Sequence, residues 1–153
     1  ETLAGWNGRA KLLIENQAGE GASVGTTLEE LCTIRELSAR PERIGFCLDT
    51  CHLFASGVWD GTGWERTVET GRRLGFWAHL GALHLNDSVY PAGSRRDRHA
   101  NIGAGAIGAA ALHEVLRTPE LAAVPIVLET PAPRAGTHQA EIALARALAA
   151  SAG

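Results

Sequence analysis

The chain has 153 residues, of which 45% are hydrophobic and 20% charged, enough for one domain with a substantial core and an ordinary balance for a globular protein. No apolar stretch approaches the ~20 residues of a membrane helix, and the opening residues lack the basic and apolar regions of a secretory signal, so a cytoplasmic chain with no membrane partner is expected. A net charge of −3 argues against a long tract for nonspecific nucleic-acid binding.

Glu1 opens a chain that contains no methionine, from which we expect an N-terminus that was cut, processed or missed. Cys32, Cys47 and Cys51 are an odd number of cysteines, which suits free thiols in a reducing compartment better than a disulfide framework.

Lys11–Glu15 reads as the first strand, a nearly continuous apolar run that ends in an acid. The glycine-rich segment Ala18-Gly19-Glu20-Gly21 follows it. A helix is then expected over about Thr27–Ser38, with Thr27 as N-cap and Glu30 at capping-box spacing. Ile44–Asp49 is the second strand, followed by a glycine-rich loop, Gly57 through Gly63, and a helix over about Trp64–Leu74. Leu80–Leu85 is the third strand. After it come Asp97-Arg98-His99, the loop Ile102–Gly105 and a helix over Ile107–Leu116 that stops before Thr118-Pro119. Val124–Glu129 is the fourth strand and Thr137–Ala150 the last helix. Continuous apolar runs suit parallel strands with both faces covered. The alternation implies right-handed crossovers and a parallel sheet with no internal domain boundary. The expected fold is α/β, four βα units with parallel strands: a partial TIM barrel, half of the eight units of a closed barrel.

Glu15, Asp49, His84 and Glu129 each end one of the four apolar runs. Strand C-termini of a parallel sheet gather at one face, so four strands aim four ligand-type side chains at one place. His52 follows Asp49 by three positions, and Asp97 and His99 lie in the loop after the third strand. These seven are three imidazoles and four carboxylates, a mixed N/O set suited to zinc, manganese or iron and unlike a cysteine-rich structural site. Taken singly, each has a plainer reading as a cap, a solvated loop residue or a hydrogen-bonded structural histidine. Setting the four acids apart from the 17 acidic residues leaves 13 against 14 basic ones, so the negative total does not exclude a phosphate substrate. His79, His113 and His138 lie away from strand ends and read as structural. Cys47 and Cys51 read as small buried thiols beside the site. Gly103-Ala104-Gly105-Ala106-Ile107-Gly108 has dinucleotide-binding spacing but no strand directly before it, and reads as a loop entering a helix N-terminus that can still bind a phosphate.

The segments Ile14–Gly21, Phe46–His52, Leu83–Asp87 with Gly93–His99, and Leu128–Pro131 together resemble, in order and spacing, four signatures of the endonuclease IV family, apurinic/apyrimidinic (AP) endonucleases on a xylose-isomerase-like TIM barrel. The resemblance runs from about Lys11 to the C-terminus and corresponds to the C-terminal half of that barrel. It implies a site of up to three Zn2+ ions, Mn2+ being the substitute. Glu15 would bridge the first and second ions, Asp49, His84 and Glu129 would complete the second, and His52, Asp97 and His99 would hold the third. The implied reaction is hydrolysis of the phosphodiester 5′ to an abasic site in damaged double-stranded DNA through a metal-bound hydroxide, with Glu15 and Glu129 as catalytic carboxylates. Arg95 and Arg98 are candidate phosphate contacts, with loop salt bridges as the alternative.

Two departures stand out. The family's first four βα units, with two further histidines for the first ion, have no counterpart here, so a missing N-terminal half-barrel or self-association is expected. The family's Gly-Glu-Gly is Gly103-Ala104-Gly105 in this chain. Two other readings stay open. A sugar isomerase or epimerase on the same barrel would often carry a lysine near the site, whereas the chain has only Lys11, at the start of a strand. A non-catalytic metal-binding half-barrel would expose an open sheet edge.

Overall fold

The computed structural model describes residue 5, residues 8–132 and residues 137–150. Its centre is a four-stranded sheet in the order β1-β2-β3-β6, with β1 at Leu12–Glu15, β2 at Ile44–Asp49, β3 at Leu80–His84 and β6 at Ile126–Val127. Every pairing in it is parallel. Helices α1 (Leu28–Leu37), α3 (Trp64–Leu74), α4 (Gly108–Leu116) and α5 (Gln139–Ala150) follow the four strands, the strand–helix alternation of a partial TIM barrel.

The two faces of the sheet differ. Phe46, Leu48 and Leu83 point outward and are fully buried with Leu28, Leu31, Leu112 and Val115 of the helices. Phe46 stacks on Phe76, ring centroids 4.5 Å apart and planes within 5°. On the inner face, Leu13 occupies the space over Gly45 and Gly81: a Cβ at either glycine would lie 2.7 Å from its Cδ2. The register shifts between Phe46 and Cys47, so that Cys47 pairs with Ala82 and Asp49 stands beside His84. Glu15 stands beside Cys47.

Thr27 and Glu30 form the expected capping box of α1, the Glu30 N–H donating to Thr27 Oγ1 at 3.1 Å. Two elements go beyond the sequence reading. A seven-residue helix, α2 (Thr50–Ser56), starts directly from β2, with Asp49 as N-cap and Gly57 closing it in the left-handed region at φ 83°. An antiparallel pair, β4 (Asp87–Ser88) and β5 (His99–Ala100), folds the segment after β3 into a hairpin over the strand ends.

The fourth predicted strand is shorter than expected, two residues rather than Val124–Glu129. β6 pairs only with β3, and Pro125 has no N–H to give to a ladder. The expectation that both faces of each strand are covered also fails at the outer strands: Leu12 is 51% exposed, Ile126 42% and Val127 44%. β1 and β6 are the two edges of the sheet, with no further strand paired to them among the described residues.

Because Phe46 has no exposure and carries the stack on Phe76, Phe46→Ala is expected to lower unfolding free energy by about 3–5 kcal/mol in a urea titration.

Candidate metal centre

The strand ends deliver the predicted side chains to one place. One ligand atom from each of Glu15, Asp49, His84 and Glu129 lies within 4.8 Å of the others, and the same holds for His52, Asp97 and His99. His84 Nδ1 stands 3.0 Å from Glu129 Oε2, 3.2 Å from Glu15 Oε1 and 3.9 Å from Asp49 Oδ2. Glu15 Oε1 is also 3.2 Å from His52 Nδ1 and so joins the two groups. Asp97 lies between the other imidazoles, 3.2 Å from His52 Nε2 and 3.3 Å from His99 Nε2. Glu129 itself stands two residues past the end of β6, not at its last residue.

The burial of these groups shapes their charge. Asp49 has no exposure, and burial raises its pKa above the usual carboxylate range against the pull of His52 and His99. Burial also works to raise Glu15, but its hydrogen bond with His52 and the charge of His84 outweigh it and hold Glu15 below its ordinary value. For His52, burial disfavours the imidazolium, yet Glu15, Asp49 and Asp97 overcome it and raise the pKa to about 9.

Two imidazoles fit a cation on local evidence. His52 Nδ1 is 2.8 Å from the Asn16 carbonyl and His99 Nδ1 is 3.1 Å from the Glu129 carbonyl. A carbonyl only accepts, so each Nδ1 carries the hydrogen and each Nε2 is turned toward Asp97. Both Nε2 atoms are buried and make no hydrogen bond. Imidazoles pinned through one nitrogen, with the other facing a carboxylate but making no hydrogen bond, are arranged as metal ligands are.

Cys47 also falls within 4.8 Å of Glu15 and His84, and Cys51 of Asp49 and His99. Burial, then the surrounding carboxylates, push the Cys47 thiol up to about 12; burial pushes Cys51 up to about 11. Both are buried, free and protonated at neutral pH, and Cys51 Sγ donates to the Arg98 carbonyl at 3.7 Å. They sit beside the cluster as small buried thiols, as expected.

Arg95 and Arg98 are exposed, and neither has a carboxylate within 4.0 Å among the described residues. Arg95 takes a positive φ of 54°, and its N–H donates to the Ala55 carbonyl at 2.9 Å, fixing the loop over α2. His79, His113 and His138 lie outside the cluster; His113 Nδ1 bonds the Leu148 carbonyl and ties α4 to α5. Lys11 stands before β1, at the end of the strand opposite Glu15.

The expected phosphate site at the start of α4 is overturned. Its N–H groups already hold an anion, the carboxylate of Asp87, itself without exposure. Gly103 N and Gly105 N donate to Asp87 Oδ2 at 3.0 Å each, and Ile107 N donates to Oδ1 at 2.9 Å. Gly108 N adds a bond to each oxygen. Gly105 is obligatory, since a Cβ there would lie 2.4 Å from the Ser88 carbonyl and 2.5 Å from Asp87 Oδ1. Ala104 is exposed and outside this cradle, so the loop is held with no glutamate at that position.

Sequence reasoning passed over the polar residues behind the cluster. Asn16, Thr50, Asn86 and Asp87 have no exposure. Each adjoins a strand end, and a buried amide or hydroxyl must find partners; that rule is the signal that could have marked them.

A parallel sheet with imidazoles and carboxylates grouped at its C-terminal edge defines a partial TIM barrel with a candidate metal site. The profile of the family described as xylose isomerase-like TIM barrel matches residues 4–149, and the chain belongs to that family. It is 47% identical over 146 residues to a protein of Symbiobacterium thermophilum named probable endonuclease 4, covering 95% of this chain and 53% of that one. A protein of Methanosphaerula palustris with the same name is 43% identical over 143 residues, with 92% and 50% covered. The crystal structure of endonuclease IV from Thermus thermophilus superposes with a TM-score of 0.81 at 35% identity, over 96% of this chain and 52% of that one. The chain therefore spans about half the length of the curated relatives it matches.

Two outcomes follow. Asp87→Ala strands several loop N–H groups and is expected to cost about 3 kcal/mol or more in denaturant unfolding. For His52 the folded pKa, about 9, lies above the ordinary 6.5 of an unfolded chain. Its contribution is complete below about pH 6.5 and lost as pH rises through 9. Chelator-treated protein should accordingly lose stability of the order of 3 kcal/mol between those pH values, and His52→Gln should flatten the slope.

Proposed function

We propose that this chain forms the metal-binding half of a zinc-dependent AP endonuclease that hydrolyses the phosphodiester 5′ to abasic sites in double-stranded DNA, a cytoplasmic base-excision-repair function. The observation that carries the reading is the convergence of Glu15, Asp49, His84 and Glu129, joined through Glu15 to the His52, Asp97 and His99 group. The names of the relatives support the nuclease over an isomerase, as does the distance of Lys11 from the cluster along β1.

Glu15 would bridge two ions, Asp49, His84 and Glu129 would hold one of them, and His52, Asp97 and His99 another. When bound, zinc lowers the pKa of water toward neutrality and stabilises negative charge on a phosphoryl group. The chain's own residues divide the remaining work. Of the three carboxylates around His84, Glu129 is the most open, its side chain 45% exposed against 27% for Glu15 and none for Asp49, and is the one best able to meet an incoming water and take its proton. Asp49, without exposure, is fixed at both oxygens, by the His52 N–H at 2.9 Å and the Asn86 amide at 2.6 Å, and serves as an immobile anchor. Arg95 and Arg98 extend exposed guanidinium groups from the loop beside Asp97, unpaired with any carboxylate among the described residues and suited to the phosphates flanking the lesion. Four further βα units would complete the barrel beyond β1 and β6, covering the exposed Leu12, Ile126 and Val127.

Metal analysis after dialysis is expected to find zinc retained by the chain, with His84→Ala lowering its affinity at least tenfold; protein that retains none would count against the site. In a complete barrel, Glu129→Gln is expected to slow cleavage of an abasic-site duplex by about 100-fold or more, and isomerase activity without cleavage would reverse the reading.

A further inference from the structure

We infer that Asn86 is the positioning residue that locks Asp49 and Glu129 into one cation-binding arrangement. The inference rests on the cation-binding reading above and concerns a residue that is not itself a ligand there.

The last bonds of the β3–β6 ladder are those of the Leu83 and Leu85 N–H groups to the carbonyls of Pro125 and Val127. Alternate residues of a parallel strand bond to opposite neighbours, so the Asn86 backbone faces the β2 side rather than β6. Its N–H donates to Thr50 Oγ1 at 2.9 Å, and its carbonyl accepts from the same hydroxyl at 2.6 Å. The side chain stands in for the ladder. Asn86 Oδ1 accepts from the Glu129 N–H at 2.9 Å, extending the hold of β3 two residues past the end of β6. Nδ2 of the same amide donates to Asp49 Oδ2 at 2.6 Å.

One rigid amide plane therefore fixes the backbone of one carboxylate residue and the carboxylate of another, from strands on either side of β3. The oxygen it grips is the one that faces the imidazoles, 3.6 Å from His99 Nε2 and 3.9 Å from His84 Nδ1. Asp49 Oδ1 is taken by the His52 N–H at 2.9 Å, so the carboxylate cannot rotate without breaking a bond. Asn16 grips the backbone of Asp49, donating to its carbonyl at 3.1 Å and accepting from its N–H at 2.7 Å, but makes no bond to the carboxylate. The Asn86 amide thus links the Asp49 carboxylate directly to the backbone of Glu129. Only an asparagine of this length offers a donor to one and an acceptor to the other; an aspartate has the same shape but aims a second acceptor at Asp49.

The test is a titration of the full chain with Co2+ alone, followed by its visible absorption, with Zn2+ in competition. Asn86→Asp is compared with the wild type, and the melting temperature of each is measured in chelator. Wild-type protein is expected to bind the cation. Asn86→Asp should bind it about 10- to 100-fold more weakly with an altered cobalt spectrum, while its metal-free melting remains above the titration temperature. Wild-type affinity and spectrum in the variant would overturn the inference. Should Asn86→Asp fail to fold, Asn86→Ser, which adds no charge facing Asp49, takes its place, and wild-type affinity there overturns the inference equally. A wild-type chain that binds no Co2+ or Zn2+ would instead overturn the functional reading on which the inference rests.

Discussion

Carboxylates repel one another, and in this chain Glu15, Asp49, Asp97 and Glu129 stand so close that each shares an imidazole with another. Asp49 is cut off from water, so the repulsion around it is poorly screened and has to be met by positive charge. Imidazolium protons can meet it, and the elevated pKa of His52 is that response in the metal-free chain. A divalent ion meets it more completely, because one ion neutralises two carboxylates and accepts the lone pairs of imidazoles that hydrogen bonds leave unused. The pinned Nδ1 of His52 and His99, and their Nε2 atoms that face Asp97 without a hydrogen bond, are what that second solution requires.

The rest of the fold holds these groups together against their mutual repulsion. Parallel strands bring Glu15, Asp49 and His84 to one edge of the sheet, and the register shift between Phe46 and Cys47 sets Asp49 beside His84. Leu13 over Gly45 and Gly81 fills the layer below, and the stacked Phe46 and Phe76 anchor β2 from the outside. Behind the ligand-type groups lies a layer of fully buried polar residues, Asn16, Thr50, Asn86 and Asp87, each with its partners supplied by the protein. Charge faces the open side of the sheet, and neutral amides and hydroxyls together with one caged carboxylate set its position.

Much of this was legible in the residues. The apolar runs ending at Glu15 and Asp49 end there as strands, the capping box of Thr27 and Glu30 forms, and His52, Asp97 and His99 come together. What was not legible depended on tertiary context. α2 is seven residues long and begins on the residue that follows a strand, so no helical period separates it from what precedes it. β4 and β5 are two residues each, with ten residues between them, too short to show alternation. The run Val124–Glu129 looked like a full strand, but a strand needs a partner, and β6 has one on one side only. The glycines at 103, 105 and 108 correctly announced a cradle of N–H groups; that its anion is Asp87, from a strand sixteen residues earlier, could be known only from the fold.

Whether oxygen and nitrogen alone hold the cation is the point on which the site stands or falls, because Cys47 and Cys51 lie within reach of it. X-ray absorption at the zinc edge of the loaded protein measures this directly. The arrangement predicts a shell of nitrogen and oxygen at about 2.0–2.2 Å with imidazole scattering behind it and no sulfur. A sulfur shell at about 2.3 Å would mean that the thiols ionise and bind, and would contradict the assignment of the imidazoles and carboxylates as the ligand set.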